Sequence, residues 1–159
     1  MEINYRTDLK ATDRNPIRDI LESTTVFYDF EVRVALGILD EHLREGATSD
    51  YSFIIAEQGN QVLGYVNFGP TPCTQGSWDI YWIAVKKDTM NRGMGKVLLK
   101  MSEEAIQKLG GVNIWVETSS RESYMPTRAF YDRQGYKVVA ELKDFYGPGD
   151  HKVIYHKKV

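Results

Sequence analysis

Apolar residues along this chain recur with two different periods, and each change of period marks a new element. Residues 3–9 alternate weakly and predict a short first strand. Two helical stretches follow. One covers 16–23, with Asn15 as its cap and Pro16 in its first turn. The other covers 30–45, with Val32, Val34, Leu36, Leu39 and Leu43 as apolar positions and Gly46 as its stop. Residues 51–57 and 62–68 read as a hairpin around Gln58-Gly59-Asn60-Gln61. A loop over 69–76 holds Pro70, Pro72 and Cys73. Residues 78–85 are almost continuously apolar, which predicts a central strand covered on both faces. A helix over 93–109 places Val97, Leu98, Met101, Ala105, Ile106 and Leu109 on one face, and Gly110-Gly111 ends it. A buried strand over 113–118, a helix over 125–133 ended by Gly135, and strands over 136–142 and 152–156 complete the chain. The last two strands are joined by a loop containing Tyr146-Gly147-Pro148-Gly149. No repeat or low-complexity tract interrupts this order, which predicts an α+β fold with a mixed sheet.

Composition narrows the class. A length of 159 residues suits one domain over 1–159. The 42% hydrophobic and 26% charged content excludes disorder and coiled coil as the main organisation. A net charge of -2 argues against a nucleic-acid partner, which calls for a basic excess. The single cysteine, Cys73, excludes an internal disulfide and a cysteine-based zinc site, and suits a reducing cytoplasm. The N-terminus carries no signal-like apolar segment, and no apolar run reaches the roughly 18 residues of a membrane helix. A cytoplasmic protein with no membrane partner and no metal is the expectation.

The chemical signal is Asn91-Arg92-Gly93-Met94-Gly95-Lys96, between a buried strand and a helix. Glycines there let backbone N–H groups turn toward an anion, the helix dipole adds attraction, and Arg92 and Lys96 supply charge. A Walker A loop fails, because Met90 and Val97 stand where Gly and Ser or Thr are needed. A dinucleotide fingerprint fails at Leu98, where a third glycine belongs. On the loop alone, a helix start that merely carries two glycines stays open.

The loop also resembles that of the GNAT N-acetyltransferases, whose pattern is Arg/Gln-x-x-Gly-x-Gly/Ala. Met90 through Gly95 matches both glycines and departs at the first position. A second segment, Thr127-Arg128-Ala129-Phe130-Tyr131-Asp132-Arg133-Gln134-Gly135-Tyr136, resembles the same family's helix ending in Phe/Leu-Tyr-x-x-x-Gly-Phe/Tyr. The order of elements around both signatures agrees over nearly the whole chain. The resemblance implies a GNAT-type (acyl-CoA N-acyltransferase) fold: a mixed, mostly antiparallel central sheet of about seven strands flanked by about four helices.

It also implies a chemistry. Acetyl-CoA, as cosubstrate, would lie between the strands at 78–85 and 113–118. Backbone groups of Ile83, Ala84 and Val85 would hold its pantetheine and polarise the thioester carbonyl. Asn91, Arg92, Gly93, Met94, Gly95 and Lys96 would hold its pyrophosphate, with Met90 costing a side-chain contact and weakening binding. Tyr131 would protonate the departing thiolate, since a phenol of pKa near ~10 keeps its proton at neutral pH; the alternative is a core aromatic. Asp79 would take the proton of the amine, directly or through water. An acid within the apolar run Trp78-Asp79-Ile80-Tyr81-Trp82 calls for a reason, and a strand-end salt bridge is the other one. Glu117 is the second carboxylate candidate and His151, on the late loop, the third. Direct transfer leaves Cys73 no role.

The acceptor site of this family implies the first helices and the late loops. Here those bring Phe27, Tyr28, Phe30, Trp78, Tyr81 and Tyr146, with Asp29 and Glu31 near them. Aromatic walls with carboxylates suit an amine carrying an apolar body, in a small molecule or a peptide. A non-catalytic acyl-CoA-binding or sensing module on the same fold is the alternative, and Met90 keeps it open. Exposed strand edges and the habit of relatives suggest a homodimer.

Overall fold

The computed structural model describes residues 2–159. In chain order its elements are β1 (Asn4–Arg6), α1 (Arg14–Ser23), α2 (Asp29–Glu45), β2 (Ser52–Gln58), β3 (Gln61–Pro70), β4 (Ser77–Val85), α3 (Met94–Lys108), β5 (Asn113–Ser119), α4 (Met125–Arg133), β6 (Lys137–Gly147) and β7 (Asp150–Lys158). The seven strands form one sheet in the order β1-β2-β3-β4-β5-β7-β6. Neighbours run antiparallel except β4 and β5, which run parallel. The mixed sheet and the four α-helices agree with the α+β, GNAT-type expectation.

Two cores sandwich the sheet. Ile17, Ile20 and Leu21 of α1 and Val32, Leu36 and Leu39 of α2 pack on one face against Phe53, Ile55 and Tyr65. Met94, Leu98, Leu99 and Ile106 of α3 and Tyr131 of α4 pack on the other against Ile54, Val66, Ile80, Ile114 and Tyr155. The buried stripe of α3 runs 94-98-99-102-106, which is helical spacing. Ser102 joins it at no cost in unmet polarity, because its hydroxyl donates to the Leu99 carbonyl at 2.7 Å. Val97 and Leu109, expected on that face, are 39% and 65% exposed, at its margin and beyond its end. Val34 of α2 is likewise 56% exposed. No helix among the described residues is long and apolar enough to cross a membrane.

Three boundaries differ from expectation for local reasons. The first strand is three residues rather than seven. The Arg6 guanidinium is held by Asp13 at 2.6 Å and Glu57 at 2.8 Å, which turns the chain away from the sheet edge. Helix α1 starts at Arg14, with Asp13 rather than Asn15 at its N-cap position and Pro16 still in its first turn. The late loop is mostly strand. β6 and β7 pair up to Gly147 and Asp150, and the turn is Pro148-Gly149 alone. Pairing skips from Leu142–Lys152 to Gly147–Asp150, so residues 143–146 bulge out of β6 against His151. Asp144 takes a left-handed φ of 56° there; its N–H donates to His151 Nδ1 at 2.9 Å, and its Oδ1 accepts from the Gly149 N–H at 2.8 Å. Tyr146 and His151 therefore sit on a kinked hairpin.

Candidate active site

The site begins with one surplus residue. Asn67 of β3 pairs with Trp82, but Phe68 pairs with Ile80, so Tyr81 is a bulge in β4. A bulge bends its strand and sharpens the twist. β4 pairs with β5 only from Ser77–Asn113 to Asp79–Trp115, just before it. Beyond that, β5 continues along β7 while β4 stays with β3, and a gap opens. The Lys86 N–H donates to the Leu63 carbonyl at 2.8 Å, making Leu63–Lys86 a hydrogen-bonded pair. Antiparallel pairs alternate. Ala84 therefore turns its backbone groups to Tyr65, while Ile83 and Val85 turn theirs away from β3, into the gap.

Two chambers adjoin along this gap. The first, about 430 Å³, is lined by Ile83, Ala84 and Val85, by Met90, Asn91, Gly93, Met94, Gly95 and Lys96, and by Thr127, Phe130, Arg133 and Gln134 of α4. Gly93 is the N-cap of α3 at φ 78°, a left-handed conformation that glycine adopts freely. The first-turn amides beyond it have no carbonyl one turn back and point out of the helix end. With the helix dipole, Lys96 and Arg133, this end is an anion cradle. The Arg92 side chain lies outside the lining, on an exposed turn. Met90 lines the chamber and is 40% exposed. Arg133 was not singled out from the sequence, although it follows Phe130 by three on the chamber face of α4.

The second chamber, about 460 Å³, shares Phe27, Ile83 and Thr127 with the first. It gathers Asp79, Tyr81 and Trp82 from β4, Trp115 and Glu117 from β5, Glu31 and Phe30 from α2, Tyr131 from α4 and Tyr146 from the kinked hairpin. Asp79 Oδ2 accepts from the Thr71 hydroxyl at 2.7 Å. Burial raises the Asp79 pKa, the Thr71 hydrogen bond opposes that, and the charge of Glu117 adds to it. Glu117 is itself paired with Lys152 at 2.9 Å. Tyr131 is buried among Phe130, Tyr136 and Tyr155, and burial pushes its phenol well above the usual range. Burial, ahead of neighbouring carboxylates, also pushes Tyr81 and Tyr146 up to about 12. All three phenols keep their protons at neutral pH.

Other expected residues lie elsewhere. Trp78 points to the opposite face of the sheet from Asp79, against Phe68 and the α3 core, because side chains alternate along a strand. The Tyr28 ring lies under the Arg121 guanidinium at 3.8 Å instead of lining the chamber. His151 lines neither chamber and accepts the Asp144 N–H. Cys73 is exposed in the β3–β4 loop. No local pattern in the chain singles out Thr71, Trp115 or the Glu31–Arg121 pair, which are assembled by pairing register. Among the described residues, no three His, Cys, Asp or Glu side chains stand where they could share a metal ion.

Comparison with known proteins agrees with this geometry. The family described as the acetyltransferase (GNAT) domain matches residues 49–138. An uncharacterised N-acetyltransferase of Methanocaldococcus jannaschii is 31% identical over 106 residues, 67% of this chain and 65% of that protein, so the match spans just under two thirds of the relative. A crystal structure from Desulfovibrio desulfuricans, of a protein assigned to the GNAT family of acetyltransferases, is 38% identical and superposes with a TM-score of 0.95 over 99% of both chains. The PaiA N-acetyltransferase of Thermoplasma acidophilum, solved with coenzyme A, shares the fold at a TM-score of 0.75 and 19% identity over 100% of both chains.

Proposed function

The chain belongs to the GNAT acetyltransferase family, and from that premise we propose that it transfers an acetyl group from acetyl-CoA directly to a primary amine of a small molecule or peptide. The observation that carries the reading is the junction of the two chambers at Ile83. An amide cradle stands on one side of it and an unpaired carboxylate on the other. The residues present fit the cosubstrate. The α3 amides with Lys96 and Arg133 suit its phosphates, and the outward backbone of Ile83 and Val85 suits an extended amide-bearing arm. Bound there, acetyl-CoA supplies an activated thioester carbonyl.

The chain's own groups supply the rest. Asp79 takes a proton from the acceptor ammonium, so the amine attacks as a neutral nucleophile. The raised pKa keeps Asp79 a stronger base than a solvated aspartate. A backbone N–H of Ile83 or Val85 donates to the carbonyl oxygen as it gains charge. The N–C bond forms, the C–S bond breaks, and the Tyr131 phenol gives its proton to the leaving sulfur. The new amide's surplus proton passes to the Tyr131 phenolate through solvent, and Asp79 releases the proton it took to bulk water, so both groups are restored. The sum is ammonium plus thioester giving amide, thiol and one proton.

Thermal unfolding with acetyl-CoA, CoA, ATP and NAD in parallel tests the binding half. At about 100 times its dissociation constant a ligand adds roughly 2.7 kcal/mol, a rise of about 2–5 °C here. The expected result is a rise with acetyl-CoA and CoA alone; no rise with either withdraws the reading. Thiol release on an amine panel tests the chemical half, and binding without turnover selects the non-catalytic acyl-CoA module that Met90 keeps open. Two further expectations accompany the reading. β6, the last strand of the sheet, exposes Val138, Val139 and Leu142, which supports pairing of two copies, and sedimentation tests it. The exposed Cys73 thiol suits the cytoplasm, and fractionation tests that.

A further inference from the structure

Three carboxylates line the second chamber, and they are not equally free. Glu31 accepts from the Tyr28 N–H at 2.7 Å and the Tyr124 hydroxyl at 3.1 Å, and it pairs with the Arg121 guanidinium at 3.2 Å. Arg121 is fixed in turn, with Nε 3.9 Å from Asp150 and its plane over Tyr28. Glu117 pairs with Lys152 at 2.9 Å. That lysine's side chain is 12% exposed, and its ammonium lies 3.7 Å from the centre of the Phe145 ring. Lys152 is thus clamped between a carboxylate and an aromatic face. Asp79 differs from both. Its partner is the neutral hydroxyl of Thr71. The acidic character of the chamber therefore reduces to one uncompensated carboxylate, beside the last rung of the β4–β5 seam. The rest of the wall carries no charge: apolar bodies from Phe27, Phe30, Ile38, Trp82 and Trp115, with neutral hydroxyls such as those of Tyr81 and Tyr146 between them.

We infer that the acceptor is a small monoamine, one ammonium group on an aromatic or aliphatic body, and that polycations are poor acceptors. The inference rests on the transferase reading above and deepens it. One ammonium group meets Asp79, and its body lies against Trp82 and Trp115, where ring faces also favour a cation. A second ammonium finds no free carboxylate. It must displace Lys152 from Glu117 or Arg121 from Glu31, and so leave a half-buried cation without its partner. A volume of about 460 Å³ suits a body of drug-like size.

The test compares 2-phenylethylamine, spermidine, kanamycin and a short peptide with a free N-terminus. Two measurements are made: kcat/KM for thiol release from acetyl-CoA, and equilibrium binding to the CoA-saturated protein. Phenylethylamine is expected to exceed each of the others by about tenfold or more in both. Spermidine, kanamycin or the peptide equalling it overturns the inference. Selective binding of phenylethylamine without turnover of any amine keeps the monoamine class and overturns the transferase reading. Binding of none overturns the monoamine class, whatever acetyl-CoA does. Lys152→Met, checked for an unchanged unfolding midpoint, frees Glu117. It is expected to raise spermidine relative to phenylethylamine by about fivefold. An unchanged ratio in the folded variant removes the paired carboxylates as the cause of selection. Should Lys152→Met fail to fold, Glu117→Gln is read instead. It removes the carboxylate and leaves Lys152 an unpaired cation, so spermidine should lose further ground, and an unchanged ratio again removes that cause.

Discussion

The two chambers are built by opposite means. The first is made largely of backbone: the glycine-led start of α3 and the outward groups of Ile83 and Val85. Few of its side chains could change its character. The second is made of side chains drawn from α2, β4, β5, α4 and the β6–β7 hairpin, with Asp79 as the one carboxylate no cation has claimed. A backbone site holds one ligand and tolerates sequence change. A side-chain site can be rewritten for a new ligand residue by residue. The contrast predicts large effects from substitutions in the second chamber and small ones in the first.

The largest effect is expected from Asp79→Asn, a fall in kcat/KM of about 10²–10³-fold with loss of the acidic limb of the pH–rate profile. The same change is expected to stabilise the fold at pH 7. Burial raises the folded pKa above the ordinary 3.8, so the ionised side chain is a cost at neutral pH that asparagine avoids. The midpoint should rise by about 2 °C, and the difference should close as pH falls through the raised pKa and vanish below the ordinary one. A variant that loses activity and stability together contradicts this account of Asp79.

Next is Tyr131→Phe, expected to lower kcat by roughly 10–100-fold with acetyl-CoA affinity unchanged. Full activity across the pH range would make Tyr131 a core aromatic. Thr71→Val follows. It removes the hydrogen bond that holds the Asp79 pKa down, so the acidic limb should move up by about one pH unit, while Thr71→Ser leaves it in place. The smallest effect is expected from Met90→Arg in the backbone-built chamber, a lowering of the acetyl-CoA KM by about threefold that added salt erases. A larger gain would show that side chains govern the first chamber too, and the contrast would narrow.

The same contrast explains what could be read from the sequence. The first chamber's glycine loop is six consecutive residues, and its partner helix is one short segment, so both stood out as local patterns. The alternation of apolar positions likewise carried the order of strands and helices. The second chamber depends on register. Tyr81 is a bulge only because Asn67 and Phe68 pair as they do, and Trp78 faces away from Asp79 for the same reason of alternation. Thr71 reaches Asp79 across the β3–β4 connection, and Arg121 reaches Glu31 across 90 positions. Residues 143–146 read as loop because Lys143, Asp144 and Gly147 break the alternation, yet they are a bulge carried by a strand that continues past them. No local pattern encodes such meetings.

The brief seam between β4 and β5 has a mechanical consequence. Three residue pairs join a four-strand plate, β1 to β4, to a three-strand plate, β5 to β7. Past that seam the plates have no shared rungs, and the outward amide groups of Ile83 and Val85 are left facing the gap. A ligand arm lying there stands where a strand would, bracing one plate against the other. Occupancy thus becomes a part of the architecture, and amide hydrogen exchange at Ile83 and Val85 reads it: fast with the gap empty, slow with it filled.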